Sequence, residues 1–148
     1  LKGGRCSIGV ESTIINLTDN VSILRLGGLS VSKIKKIIKK QILIKNKSKN
    51  KISPGLFNLH YSPGIPLRIN VKKPNKGEAF VLIKKRKINS KNYFFLSKNN
   101  NLIKAARNLY PLIRKIKNKG YKKIAVEKIP NIGIGQTIND RLERASKY

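Results

Sequence analysis

Apolar positions along this chain follow two periods, and the change from one to the other outlines its elements. Val21-Ser-Ile-Leu-Arg25 alternates in the manner of a half-buried strand. β-Branched residues in Cys6–Val10 and Ile14–Leu17 predict strand before it, and Asp19-Asn20 is a turn signal, so the two arms should pair antiparallel. Gly27-Gly28 breaks the pattern. Ser30 then suits an N-cap, and Val31 to Lys40 carries Ile34, Ile37 and Ile38 on one face with lysines opposite, an amphipathic helix.

The second half has a longer rhythm. Pro66–Val71, Glu78–Ile83, Tyr93–Leu96 and Lys123–Glu127 read as strands, and the unbroken apolar run of the second suits a buried one. Asn99-Asn100-Asn101 opens a helix from Leu102 to Lys119 with Leu102, Ile103, Ala106, Leu109, Tyr110, Leu112, Ile113 and Ile116 at helical spacing. Pro111 inside it predicts a kink or break, and Gly120 ends it. Pro130–Gly135 is a loop and Gln136–Ser146 a last helix. This order predicts an α/β unit of two or three layers with a mostly parallel sheet.

Between the halves runs a lysine-rich tether, Lys45 to Lys51, and then Ser53-Pro-Gly-Leu-Phe-Asn-Leu-His60-Tyr61-Ser-Pro63. A plain linker stays polar. This one carries Leu56, Phe57, Leu59 and Tyr61, and its prolines favour extended backbone. It reads either as an ordered connector or as a strap whose apolar residues lie over a site. Two strands and a short helix bury too little to stand alone, so residues 1–40 should be the end of a truncated domain that packs poorly and exposes an apolar sheet face. The chain opens at Leu1 and has no methionine, which leads to the expectation that it is the C-terminal piece of a longer protein.

Composition changes this picture only in part. The 148 residues carry a net charge of +28, from 34 basic and 6 acidic side chains, which favours attraction to nucleic acid. The lysines are spread along the whole chain, however, and lysine, asparagine and isoleucine share A/T-rich codons. Compositional drift gives this charge without selection for a partner and is the weightier reading, with nucleic-acid binding the other. No apolar run is long enough to cross a bilayer and no charged-then-apolar leader is visible, so a soluble, cytoplasmic protein is the default expectation. Cys6 is alone, which leaves no internal disulfide and no zinc site, and it is expected to be a small buried residue.

Candidate chemistry is sparse. The hydroxyls of Glu11-Ser12-Thr13 suit a carboxylate or phosphate oxygen. Arg25, beside Gly27-Gly28, suits a phosphate clamp, or else is a surface arginine at a strand end. In an antiparallel hairpin Ser12 and Arg25 fall near the same end, within reach of one ligand. Gly133-Ile-Gly135 lies too late in the chain for a dinucleotide fingerprint and reads as a turn with tight helix packing. Asp140, Arg141, Glu143 and Arg144 read as a solvated polar face.

Three segments taken in order carry a resemblance. They are Gly9-Val-Glu-Ser-Thr-Ile-Ile-Asn-Leu-Thr18 continuing to Ile23-Leu-Arg-Leu-Gly-Gly28, then Ser53-Pro-Gly55 with His60-Tyr61-Ser-Pro63, then Gly133-Ile-Gly135 with Ile138-Asn-Asp-Arg-Leu142 and Arg144-Ala145. Together they resemble the threonylcarbamoyl-AMP synthases of the YrdC type, in their long two-domain form. The resemblance implies an α/β protein of three parts. Residues 1–40 would be the C-terminal part of a YrdC-like catalytic domain, 41–66 an interdomain linker over the active site, and 67–148 a small Rossmann-like accessory domain. It implies adenylyl transfer, with L-threonine, bicarbonate and ATP condensing to threonylcarbamoyl-AMP and pyrophosphate for tRNA threonylcarbamoyladenosine modification.

By the same resemblance Ser12 contacts threonine or its carbamate, and Arg25 and Tyr61 contact ATP. His60, Ser53 and Gly55 are further linker contacts, and Mg2+ accompanies ATP. No catalytic residue and no protein-held metal are assigned. The chain departs from the family pattern at Leu26, where proline is usual, at Leu56, where methionine is usual, and at Ser62, where alanine is usual. The family's N-terminal lysine and arginine motif and its serine-and-asparagine segment are missing. The chain alone should therefore not be competent, and the missing N-terminal half is an implied partner. Two other readings compete with this one. One is a basic RNA-binding module without catalysis, contacting tRNA or double-stranded RNA, and the other is a stand-alone accessory domain.

Overall fold

The computed structural model describes residues 4, 6–18, 20–39, 41–45, 61–87 and 90–147. The first part is a small sheet with one helix. Strands β1 (Ile14–Asn16) and β2 (Ser22–Arg25) pair antiparallel, helix α1 (Val31–Ile38) follows, and β3 (Leu43–Ile44) returns to lie parallel to β2. The hairpin register sets Ile14 opposite Arg25 and slips by one residue between Ile14 and Ile15. Ile23, Leu26, Val31, Ile34 and Ile42 form the core of this part. Ser30 takes the N-cap position of α1 with extended backbone, but its hydroxyl meets that of Ser32 instead of capping the helix.

Two expectations need correction here. Residues 6–10 are bends, not strand, because Gly9, at φ +76°, presses the loop onto α2, where an added Cβ would lie 2.4 Å from the Arg107 Cα. Cys6 is exposed, not buried, since that loop leaves it on the surface. The first part packs thinly, as expected of a domain end: among its described residues up to 39 only Ser22, Ile23, Leu26, Gly27, Val31 and Ile34 are buried, and Leu17, Leu29, Ile37, Leu43 and Ile44 are exposed.

The second part is the expected α/β unit. Strands β4 (Leu67–Arg68), β5 (Ala79–Lys84), β6 (Tyr93–Ser97) and β7 (Ile124–Val126) form a parallel sheet in the order β4-β7-β5-β6. Helix α2 (Leu102–Asn118) lies between β6 and β7 in the chain, and α3 (Gly135–Ala145) closes it. Strand period divides β5 between two clusters. Ala79, Val81 and Ile83 join Ala106, Leu109, Ile113 and Ile116 of α2 and Ile138, Leu142 and Ala145 of α3. Phe80 and Leu82 meet Ala125, Tyr93 and Phe95 on the other face, where the Phe80 and Tyr93 rings pack edge to face. Each fully buried valine, leucine, isoleucine or phenylalanine among them contributes about 1.5–3 kcal/mol by leaving water.

Asn101 caps α2 by accepting from the Lys104 N–H at 2.9 Å. Of the kink or break expected at Pro111, the break does not occur, and the helix runs through it. Proline removes the donor that would face the Arg107 carbonyl, the place where the Gly9 loop packs. No described helix is long and apolar enough to cross a membrane.

Candidate functional site

The site is assembled where the end of the β1–β2 hairpin meets α3. Arg25, the last residue of β2, donates from Nε to the Ser12 carbonyl at 3.1 Å and from Nη2 to the Ser12 hydroxyl at 3.0 Å. The two residues expected to share a ligand are therefore in direct contact. Gly27 lets this happen. A Cβ there would lie 2.3 Å from the Ser12 carbonyl carbon and the Thr13 nitrogen, so only glycine allows the strands to close. The Gly28 N–H donates to the Glu11 carbonyl at 2.8 Å, and the Thr13 hydroxyl to the Leu29 carbonyl at 2.6 Å.

From the other side α3 supplies Thr137 and Arg141. The Thr137 hydroxyl donates to the Gly27 carbonyl at 2.8 Å. Arg141, 1% exposed, donates from Nε and Nη2 to Glu11 Oε2, both at 3.1 Å, from Nη2 to the Leu26 carbonyl at 2.8 Å, and from Nη1 to Asp140. Its guanidinium carbon lies 4.5 Å from the centroid of the Tyr61 ring, which stacks in turn on Tyr110 at 5.6 Å and 22°. Gly135 seats this helix. A Cβ there would lie 2.0 Å from the Pro130 carbonyl oxygen, which is the tight packing expected of the Gly133–Gly135 turn.

A cleft of about 320 Å³ opens beside this cluster, lined by Glu11, Tyr61, Ser62, Pro63, Tyr110, Ile113 and Arg114. Burial raises the Glu11 carboxyl, but its own backbone N–H and the Arg141 charge outweigh that and hold it below the ordinary carboxylate range. Burial pushes the Tyr61 phenol up to about 12 and also raises the Tyr110 phenol. Among the described residues no three His, Cys, Asp or Glu side chains group to hold a metal ion.

The expected solvated face of α3 is wrong. Asp140, Arg141 and Arg144 are buried, with Arg144 forked onto Asp140 at 3.1 and 3.2 Å, because the hairpin covers this side of the helix. Arg141 and Glu11 are thus the residues that sequence reasoning missed. A signal was present. Arg141 stands three residues after Ile138 and four before Ala145, inside the apolar stripe. His60, Ser53 and Gly55 lie outside the described residues.

Comparison with known proteins bears on this arrangement. Residues 29–147 match the family model described as threonylcarbamoyl-AMP synthase, C-terminal domain. The threonylcarbamoyl-AMP synthase of Pyrococcus abyssi is 27% identical over 168 residues, covering 100% of this chain and 49% of that protein. That of Bacillus subtilis is 27% identical over 163 residues, covering 97% of this chain and 47% of its own length. The chain therefore spans about half the length of these relatives.

Among solved structures, the crystal structure of P. abyssi Sua5 complexed with L-threonine superposes with a TM-score of 0.79 at 28% identity, over 99% of this chain and 48% of that one. A variant of the same protein, with an adjacent histidine and tyrosine replaced by alanine, superposes at 0.70 and 26% identity, over 99% of this chain and 45% of that one. With both sheets covered by these matches, the chain belongs to the Sua5/YrdC-type family, as a C-terminal fragment carrying the threonylcarbamoyl-AMP synthase C-terminal domain.

Proposed function

We propose that this chain is the C-terminal part of an L-threonylcarbamoyladenylate synthase, a nucleotidyltransferase. It would act with an N-terminal half that carries the remaining triphosphate contacts. The reaction joins L-threonine, bicarbonate and ATP to give threonylcarbamoyl-AMP and pyrophosphate, for tRNA modification in the cytoplasm. Residues 1–40 would complete the catalytic domain, 41–66 would link it over the site, and 67–148 would be the accessory domain. The observation that carries the proposal is the match of 99% of the chain, at a TM-score of 0.79, to an enzyme solved with L-threonine.

In this reading Ser12 faces threonine or its carbamate, while Arg25 and Tyr61 face ATP, which enters as its magnesium complex. The carbamate oxygen attacks the α-phosphorus and pyrophosphate leaves. Negative charge then gathers on phosphate oxygens, where a fixed guanidinium such as that of Arg25 stabilises it. Tyr61, neutral at neutral pH as an ordinary phenol is, offers a hydroxyl donor. His60, Ser53 and Gly55 would complete the linker's contacts. The solved variant altered at a neighbouring histidine and tyrosine supports attention to His60 and Tyr61, since this chain's one histidine precedes a tyrosine. Contact with tRNA or double-stranded RNA through the lysines belongs to the same proposal.

The test is pyrophosphate release by the full gene product and by this chain alone. We expect release that needs both threonine and bicarbonate from the former and none from the latter. A full product that binds neither ATP nor threonine would overturn the reading.

A further inference from the structure

Arg141 sits where a leucine would be expected, in the apolar stripe of α3, at 1% exposure. Burying a guanidinium costs several kcal/mol unless its donors are met. Here all three of its nitrogens find acceptors and its face finds the Tyr61 ring. The identity of the acceptors matters more than their number. Glu11 is the chain neighbour of Ser12, and Leu26 is the chain neighbour of Arg25. Thr137 adds a third hold, on the Gly27 carbonyl. Helix α3 thus grips both sides of the hydrogen-bonded Ser12–Arg25 pair without an Arg141 bond to either member.

We infer that Arg141 is a positioning residue, through which the last helix sets the spacing of Ser12 and Arg25 and orients the Tyr61 ring. The accessory part is then more than a covering. It fixes the geometry of groups that belong to the other sheet. Lysine cannot replace Arg141 here, because an ammonium has no planar fork to reach Glu11, Leu26 and Asp140 together. The catalytic half of this inference rests on the synthase reading, but the positional half does not.

The positional half is read on the chain itself from the arginine Nε–H resonance of Arg25, which donates to Ser12. Arg141→Lys should shift or broaden that resonance. Glu11→Gln, which keeps the shape and removes the charge, should do so in the same direction and serves if Arg141→Lys fails to fold. Ile138→Val, a loss of one buried methyl on the same helix, should leave it in place. An unmoved Arg25 signal in Glu11→Gln, or in a folded Arg141→Lys, overturns the inference. So does an equal shift in Ile138→Val. In the full gene product Arg141→Lys should lower kcat/KM for pyrophosphate release on the order of 100-fold, the scale of a small misplacement, with Ile138→Val within about twofold of wild type. A wild-type product without activity would defeat the synthase reading and leave the resonance experiment to decide this one.

Discussion

Arg25 and Glu11 show what single residues contribute at the hairpin end. Arg25 is held by Ser12 before any ligand arrives, so its fork is oriented in advance. In the full gene product Arg25→Ala should cost on the order of 2–4 kcal/mol of transition-state stabilisation, and Arg25→Lys should recover only part of it. Steady-state pyrophosphate release measures both, and unchanged kinetics in Arg25→Ala would end the clamp role. Glu11 offers a second test. Its folded pKa lies below its unfolded value of about 4.3, so its contribution to stability is present above that pH and is lost as pH falls through the folded value. Urea midpoints should therefore drop from pH about 5 toward pH 3, and Glu11→Gln should flatten that decline. An equally steep decline in the variant would show that other carboxyls, such as Glu78 under Arg68, carry it.

Elements meet here through glycines. Gly27→Ala would place a methyl carbon 2.3 Å from the backbone of Ser12 and Thr13, and neither can move without opening the hairpin. A loss of at least about 1–3 kcal/mol is expected, and urea denaturation measures it. Wild-type stability in Gly27→Ala would mean that the strands are looser than drawn. Most elements were legible in the sequence because period and punctuation act locally. The apolar run at Ala79–Ile83, the stripe of α2, the cap at Asn101 and the stop at Gly120, just past the C-cap Lys119, all announce themselves. The Ser12–Arg25 pair was legible too, since hairpin register alone brings it together. What stayed hidden depends on contacts between distant segments. Strand β3 is two residues long and exists because β2 offers an edge to it. The bend at Gly9 is set by the α2 backbone. The face of α3 looked solvated because an arginine beside carboxylates reads as polar surface until the segment that covers it is known.

At the scale of the whole molecule, charge dominates. At +28 the native state repels itself, and screening relieves that repulsion. The urea midpoint should rise when sodium chloride is raised from about 0.01 M to 0.2 M, where the screening length falls from about 30 Å to below 10 Å. A flat or falling midpoint would mean that ion pairs outweigh the repulsion. Those ion pairs have a common feature. Every one among the described residues has an arginine as its cation, at positions 68, 86, 141 and 144. This division separates the two kinds of base by chemical reactivity. An amine-acylating reagent should label many of the lysines of the folded chain without disturbing its core. A dicarbonyl aimed at guanidinium groups should find Arg141 sealed and label it only when α3 parts from the hairpin. The labelling rate of that one side chain, followed by mass spectrometry, would then serve as a clock for how often the two sheets come apart.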